Sequence, residues 1–248
     1  MLQLGIKSDL GQTRVANEDS CLARLVSLEE EAIALLAVAD GIGGHRAGDV
    51  ASRTAIGRLE EEVIGALEQG QAPLVAIEQG VWAANAAVFQ LASAEERYRG
   101  MGTTLTAALV TEEGLFIAHV GDSRLYLYRD GVCRQLTADH SLVGELVKNG
   151  ELSPEEARAH PQRNVLTRAV GIESRVKIDL YNESLQLGDI ILLASDGLFS
   201  LLDDVEIASH LALSKDLQQV ADDLVAEANK RGGHDNISVV LARWGCKE

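Results

Sequence analysis

Three aspartates lie beside apolar, strand-like segments in distant parts of the chain. Asp40 and Asp196 each follow an apolar run and precede a glycine, and Asp235 precedes the last apolar run. A carboxylate at the end of a strand is held rigidly, and a neighbouring glycine leaves the backbone open to a ligand. Together the three carboxylates predict a site for a hard divalent cation, which prefers oxygen ligands to thiolates and imidazoles.

The bulk composition restricts the classes of partner. The 248 residues include 38 acidic and 22 basic side chains, which give a formal net charge of -16. This charge repels nucleic acids and anionic membranes, so we expect neither as a partner. Cys21, Cys133 and Cys246 show no ligand-like spacing, which is typical of a reducing compartment. Because neither a signal peptide nor an apolar run of ~20 residues is found, we expect a cytoplasmic protein.

Apolar periodicity predicts the secondary structure. Predicted strands cover residues 2–6, 33–39, 103–110, 115–120, 125–128, 132–136, 176–180, 190–194 and 237–244, and predicted helices cover residues 47–67, 74–91, 203–213 and 216–230. Helix pairs between groups of strands disfavour alternating βαβ units. We therefore predict an α+β fold, a four-layer αββα sandwich of two antiparallel sheets flanked by helix pairs, in a single domain over residues 1–248.

Six short polar motifs follow one another along the chain. They cover residues 8–19, 40–48, 102–104, 121–124, 195–198 and 235–238. Each motif alone is weak evidence, since Asp-Gly usually marks a turn. In this order, over nearly the whole chain, they resemble the metal-dependent protein phosphatase family, type 2C, in its compact bacterial form. The resemblance implies an αββα sandwich with a binuclear Mn²⁺ or Mg²⁺ centre in a cleft at one end of the sheets. It also implies hydrolysis of phosphoserine and phosphothreonine in proteins, in opposition to a Ser/Thr kinase.

By position, the resemblance implies a ligand set for the two metals. Asp40 would bridge both metals, and the carbonyl of Gly41 would ligate one of them. Asp196 and Asp235 would complete the shell of the first metal, and Glu18 matches a ligand of the second, directly or through water. Carboxylates suit this role because they combine hardness with enough negative charge to hold two dications together.

The resemblance also implies residues that act beside the metals. Asp19 matches a carboxylate that orients a water at the metals, and Asp122 lies where family members bind a weaker third metal. Arg14 would offer a bidentate fork to the phosphate oxygens, which a lysine does not reproduce. Ile42 occupies the position where some members carry a general-acid histidine. His45 either protonates the leaving group through water or only shapes its loop.

Structural interpretations remain open for several of these residues. Asp122 could be a turn residue that pairs with Arg124, and Arg14 could be a surface or cap-binding residue. His119 and His140 lie next to motif residues, but metal-binding histidines usually come in clusters, so we interpret both as structural.

Two other functions compete with protein dephosphorylation. A catalytically dead member that serves as a binding module would lack a ligand carboxylate, yet Asp40, Asp122, Asp196 and Asp235 are all present. The other is a metal-dependent hydrolase of small phosphoesters or nucleotides. The net charge of -16 and the lack of a basic patch disfavour a nucleic-acid substrate for such a hydrolase.

A polar segment precedes the last strands of the predicted sandwich. Residues from about 137 to 171 align with the family's variable flap beside the cleft, and we expect the preference among phosphorylated proteins to lie there. Within the flap, Ser153 and Glu156 form a predicted capping box with Pro154 at the first helical position. We expect the protein to act as a monomer.

Overall fold

The computed structural model describes residues 2–28, 31–43, 47–213 and 216–245. Its strands are β1 (Gln3–Asp9), β2 (Asp19–Leu28), β3 (Glu31–Ile42), β4 (Gly102–Thr103), β5 (Leu105–Thr111), β6 (Gly114–Val120), β7 (Arg124–Arg129), β8 (Val132–Gln135), β9 (Asp179–Glu183), β10 (Ile190–Ala194) and β11 (Ile237–Arg243). Its α-helices are α1 (Ala47–Glu68), α2 (Pro73–Ala94), α3 (Leu142–Lys148), α4 (Pro154–Ala159), α5 (Asp196–Phe199), α6 (Asp204–Leu213) and α7 (Leu217–Lys230). A 3₁₀ turn covers Glu96–Tyr98.

The strands form two antiparallel sheets. The order in the first sheet is β1-β11-β10-β7-β8. The order in the second is β2-β3-β5-β6-β9, and the short β4 pairs with the end of β3. Helices α1 and α2 cover the second sheet, and α6 and α7 cover the first. The predicted αββα sandwich is therefore confirmed. No helix in the described ranges is long and apolar enough to cross a membrane.

Strand β3 shows why the middle of the sandwich has a continuous apolar sequence. Its residues Leu36 and Val38 pack into the layer between the two sheets, whereas Leu35 and Ala37 pack against α1 and α2. Successive side chains of a strand point to opposite faces, and here both faces are buried. The apolar run that predicts a buried strand is thus explained by the four layers.

Strand β2 is not predicted by the sequence pattern. It is the edge strand of the second sheet and pairs with β3 along its whole length. Polar residues such as Ser20 and Arg24 interrupt its apolar pattern, because most of the strand is only partly buried. Its first residue, Asp19, lies directly opposite Asp40, so this strand matters for the site.

Several predicted strand boundaries are wrong. The strand predicted over residues 2–6 continues to Asp9, and the one predicted over residues 103–110 is divided at Thr104 into β4 and β5. The strand predicted over residues 176–180 begins only at Asp179.

Strand β3 does not stop at Asp40 but continues to Ile42. Its pairing with β5 ends at Val38, and β4 then pairs with Gly41 and Ile42. Asp40 therefore lies inside a strand whose pairing partner changes at that point, and it is not at a free strand end.

The capping box predicted in the flap is confirmed. The Ser153 N–H donates to Glu156 Oε2 at 2.8 Å, and the Glu156 N–H donates to Ser153 Oγ at 3.2 Å. Pro154 occupies the first turn of α4, where its missing N–H costs nothing.

His119, on β6, is buried between the sheet and the base of the flap. Its Nδ1 lies 2.9 Å from Thr106 Oγ and its Nε2 lies 3.1 Å from the carbonyl oxygen of Ala138. Burial, together with the neighbouring His140, lowers the pKa of His119 to about 3. The folded protein therefore keeps this ring neutral at pH values where the unfolded chain protonates it.

Replacement of His119 should flatten the acid side of the stability profile. Because the folded pKa lies below the unfolded one, His119 lowers the free energy of unfolding as the pH falls below about 6.5, by about 2 kcal/mol between pH 7 and pH 5. We expect His119→Gln to lose correspondingly less stability over that interval in denaturant unfolding. His210→Gln, on the partly exposed α6, is the control and should follow the wild type. Equal losses in all three proteins would contradict the buried neutral ring.

Candidate active site

Antiparallel pairing brings the acidic residues to one end of both sheets. In the first sheet, the end of β10 pairs with the start of β7 and with the start of β11. Asp122, Asp196 and Asp235 adjoin these strand ends, so they leave the sheet at the same end. In the second sheet, Asp19 pairs with Asp40. The sequence separates these residues widely, and the strand register reunites them.

The two groups of residues meet at a cleft of about 260 Å³. Its lining consists of Arg14, Glu18, Asp40, Gly41, Ile42, Gly43, Thr104, Asp122, Asn164, Leu166, Asp196, Asp235 and Asn236. All of the residues predicted at the metal site except Asp19 are among them. Asp19 lies behind this surface, where its Oδ2 accepts a hydrogen bond from Ser195 Oγ at 2.7 Å.

Two threonines fix the backbone of Asp40: Thr103, the last residue of β4, and Thr104, which follows it. The Asp40 N–H donates to Thr104 Oγ at 2.8 Å, and the Asp40 carbonyl accepts from Thr103 Oγ at 2.9 Å and from the Thr104 N–H at 2.8 Å. Next to it, a Cβ on Gly41 would lie 2.2 Å from the carbonyl oxygen of Gly48. Only glycine fits there, which explains the Asp-Gly pair at this position.

Burial and mutual repulsion raise the pKa of the acidic residues. Burial, with repulsion from the other carboxylates, raises the pKa of Asp40 well above its ordinary value. The pKa of Asp19 rises to about 7 and that of Asp196 to about 6, in both cases mainly because of burial. The pKa of Asp122 rises to about 8 through burial and then through Asp196. The cluster therefore contains more negative charge than its own surroundings stabilise.

The donor set fits a hard divalent cation. Among the described residues, Asp19 Oδ1 and Asp196 Oδ1 are buried and meet no hydrogen-bond donor. Carboxylate and carbonyl oxygens are the ligands that Mn²⁺ and Mg²⁺ prefer. In the parts of the chain that the structure covers, no three His, Cys, Asp or Glu side chains are already gathered as a preformed metal-binding group. Repulsion between the carboxylates opposes such a closed arrangement until a cation compensates it.

Two arginines supply positive charge beside the acidic cluster. Arg14 Nη2 donates to Asp235 Oδ2 at 2.6 Å, and its half-exposed side chain lines the cleft. That hydrogen bond raises the pKa of the Arg14 guanidinium further. From the flap, Arg163 acts electrostatically on Asp196 and favours its charged form. Arg14 therefore lies at the edge of the cleft, half exposed and held by Asp235.

Asp122 lies in a turn, and the ion pair of Arg124 is with Asp139 and not with Asp122. Arg124 forms a bidentate ion pair with Asp139, through Nη2 to Oδ2 at 2.8 Å and Nε to Oδ1 at 3.1 Å, and its guanidinium stacks 4.0 Å from the centre of the Phe199 ring. The Asp122 side chain lines the cleft instead. His45, the predicted general-acid candidate, lies outside the described residues.

Several residues of the site have no predicted role. Asn236 Oδ1 accepts from the Glu18 N–H at 2.8 Å, while its Nδ2 donates to the carbonyls of Leu10 and Ala16 at 2.9 and 3.0 Å. It thereby fixes the loop that carries Glu18 and Arg14. Asn236, Thr103 and Thr104 belong to the short polar motifs of the sequence, and this membership was the signal that could have identified them. Asn164 and Leu166 reach the cleft from the flap, and no sequence signal distinguishes them.

Comparison with known proteins agrees with this geometry. Residues 12–242 match the family described as Protein phosphatase 2C. The serine/threonine phosphatase stp of Listeria innocua is 41% identical over 241 residues, which cover 95% of this chain and 93% of the relative. The crystal structure of the Mycobacterium tuberculosis serine/threonine phosphatase PstP/Ppp matches with a TM-score of 0.87 and 38% identity over 99% of both chains.

A structure with bound metal is also similar. The crystal structure of the catalytic domain of the serine threonine protein phosphatase PstP in complex with 2 manganese ions matches with a TM-score of 0.84 and 36% identity, over 98% of this chain and 97% of that one. These matches cover nearly the whole chain and agree with the αββα sandwich. The chain belongs to the protein phosphatase 2C family.

Proposed function

We propose that the protein hydrolyses phosphoserine and phosphothreonine in proteins with the help of divalent cations bound in the acidic cleft. The observation that carries this proposal is a cleft lined by Asp40, Asp122, Asp196 and Asp235, carboxylates from distant parts of the chain, with Asp19 buried behind them. Relatives that match nearly the whole chain support it, since they are named serine/threonine phosphatases.

Residues from both sheets would hold the cations. Asp40, Asp196 and Asp235 are suited to the first position and Asp40 and Glu18 to the second, and the carbonyl of Gly41 is suited to one of the two. Two cations, Mn²⁺ or Mg²⁺, would when bound lower the pKa of a water nucleophile and stabilise charge on the phosphoryl oxygens. The match to PstP with two manganese ions supports this assignment.

Asp19 would orient the attacking water from behind the cation ligands. The Ser195 hydroxyl and the pairing with Asp40 fix its position. Its buried Oδ1 meets no hydrogen-bond donor within the described ranges, so it would accept one from a water held between it and the cations. A single hydrogen bond of this kind is enough to direct a lone pair of the water toward phosphorus.

Arg14 would bind the phosphate of the substrate. Its guanidinium is held at the cleft by Asp235, and half of the side chain remains exposed to an entering ligand. A planar guanidinium can donate two parallel hydrogen bonds to phosphoryl oxygens and stabilise the charge that develops on them. The same contact with Asp235 sets its position relative to the cations.

The flap would select among phosphorylated proteins. We assign it to residues from about 137 to 171 of a single domain over residues 1–248. Asn164 and Leu166 place part of it in the cleft wall, where it can contact residues that flank the phosphorylated side chain. Targets of a Ser/Thr kinase are the natural substrates for such an enzyme, which would act as a cytoplasmic monomer.

The proton for the leaving serine oxygen needs a separate source. After burial, the charge of Asp196 raises the pKa of Asp122, and Asp122 lines the same cleft. It would hold a third, weaker cation whose coordination shell is mostly water. Since Ile42 occupies the position of a general-acid histidine, the acidic water near Asp122 is the proposed proton donor.

Hydrolysis of a phosphopeptide in the presence of Mn²⁺, Mg²⁺ or EDTA tests the proposed function. We expect turnover with either cation and none with EDTA. Free nucleotides should be poor substrates under the same conditions. Turnover that EDTA does not abolish, or a preference for nucleotides, would contradict the proposal.

Asp40→Asn should abolish activity without destabilising the metal-free protein. The amide keeps the side-chain volume but loses the charge that both cations need, so Mn²⁺ should bind far more weakly. Because the lost charge is one that the surrounding carboxylates repel, the free energy of unfolding in EDTA should not fall. Calorimetric Mn²⁺ titration and denaturant unfolding measure both effects.

Asp130→Asn is the matched control for that substitution. Asp130 lies in the turn between β7 and β8, at the sheet end opposite the cleft, with a φ of 51° that asparagine tolerates. It should retain full activity. Substantial activity of Asp40→Asn at saturating Mn²⁺ would remove Asp40 from the cation site.

Arg14→Ala should weaken the hold on phosphate. We expect KM for a phosphopeptide to rise and kcat/KM to fall by about 1.5–3 kcal/mol, the usual size of a charge-assisted contact. Affinity for Mn²⁺ should barely change. Arg24→Ala, which removes a similarly exposed guanidinium that pairs with Glu60 on α1, is the control. An unchanged KM for Arg14→Ala would exclude the phosphate contact.

Asp122→Ala should affect a weak cation and leave the tight ones in place. We expect a lower kcat and a higher Mn²⁺ concentration for half-maximal activity, because the third cation has few protein ligands. Calorimetric titration of both proteins with Mn²⁺ should show the same tight binding and the loss of a weak event. Identical titration curves with normal turnover would leave Asp122 without a role in cation binding.

A further inference from the structure

The two ends of the flap are joined to each other beside the cleft. The Leu142 N–H donates to the carbonyl of Val165 at 2.8 Å, and the Thr167 N–H donates to the carbonyl of His140 at 2.9 Å. Ser141 and Leu166 form an isolated β-bridge between these bonds. The entry and exit segments of the flap thus form one unit, and its exit segment carries Leu166 into the cleft wall.

His140 connects this unit to the turn that carries Asp122. The His140 N–H donates to the carbonyl of Gly121 at 2.8 Å, and the Gly121 N–H donates to His140 Nδ1 at 3.1 Å. A Cβ on Gly121, whose φ is +111°, would lie 2.6 Å from the Thr104 side chain. The turn therefore has little room to move, and both the N–H and the carbonyl of Gly121 form hydrogen bonds with His140.

Asp179 joins the two ends of the flap from outside the cleft. Its Oδ2 lies 3.2 Å from Nε2 of the buried His140, at the entry of the flap. Its Oδ1 accepts a hydrogen bond of 2.6 Å from Nη1 of Arg168, at the exit of the flap. Tyr181 Oη lies 3.5 Å from Oδ2. Asp179 is the first residue of β9, so the sheet holds this carboxylate in place.

We infer that Asp179 is a positioning residue that, through His140 and Arg168, holds the flap base and the Asp122 turn in one arrangement beside the cleft. Because Nδ1 of His140 accepts a hydrogen bond, Nε2 carries the proton, and it contacts Asp179 Oδ2 at 3.2 Å without the alignment of a hydrogen bond. Arg168 and His140 thus present N–H groups to different oxygens of Asp179, and only a carboxylate places an acceptor opposite each of them. The role in catalysis rests on the proposed phosphatase function, whereas the mechanical role does not.

Asp179→Asn tests this inference, since the amide can accept from one partner only. In the metal-free protein we expect the amides of Gly121, Leu142 and Thr167 to exchange hydrogen about tenfold faster, as loss of one charge-assisted hydrogen bond implies. With Mn²⁺, we expect higher values of both the KM for a phosphopeptide and the Mn²⁺ concentration for half-maximal activity. Glu183→Gln is the matched control, because it removes a carboxylate of the same strand that pairs with Arg134 at 2.6 Å.

Two results would overturn the inference. One is wild-type exchange, KM and Mn²⁺ dependence in a folded Asp179→Asn protein. The other is faster exchange with unchanged KM and unchanged Mn²⁺ dependence, which would make Asp179 a purely structural residue. If Asp179→Asn does not fold, His140→Gln takes its place, since it keeps a donor toward Asp179 but removes the acceptor for Gly121. A normal Mn²⁺ dependence of His140→Gln would contradict the connection to Asp122.

Failure of the proposed function can be recognised separately. A wild-type protein that does not hydrolyse phosphopeptides with Mn²⁺ would contradict the phosphatase assignment. The exchange measurements on the metal-free protein would still show whether Asp179 holds the flap base.

Discussion

Repulsion between buried carboxylates is the constraint on which the rest of the site depends. Asp19, Asp40, Asp122 and Asp196 are enclosed where water cannot fully stabilise their charge, and a neighbouring carboxylate raises the pKa of each. A fold tolerates such a cluster only if the surrounding backbone is fixed and a cation compensates the charge. The sandwich supplies the fixed backbone, and divalent cations are the compensation that we propose.

The sandwich fixes the site through strand register. Asp40 lies where β3 exchanges β5 for β4 as its partner, and the threonines at that junction bind both of its backbone groups. Asp196 and Asp235 adjoin strands that pair with each other. A shift of one residue in any of these pairings would turn a ligand away from the cleft. The large apolar layers thus determine the positions of a few carboxylates.

Sequence patterns predict most of this fold because both sheets are buried and their apolar runs are long. The edge strand β2 is not predicted, since partial exposure permits polar residues such as Arg24 within it. Asp40 is predicted as a ligand but not as a residue within a strand, because the pairing of β4 is a long-range event. The contacts of Asp179 and His140 depend on residues far apart in the chain, and local periodicity does not encode them.

Anomalous diffraction from crystals of the protein grown with Mn²⁺ is the most direct test of the central claim. We predict two manganese peaks in the cleft, about 3.5–4 Å apart. Oxygens of Asp40 should lie within about 2–2.5 Å of both, and those of Asp196 and Asp235 within that distance of one. The absence of manganese from the cleft, at a Mn²⁺ concentration that supports full turnover, would contradict the account. So would manganese that Asp40 does not contact.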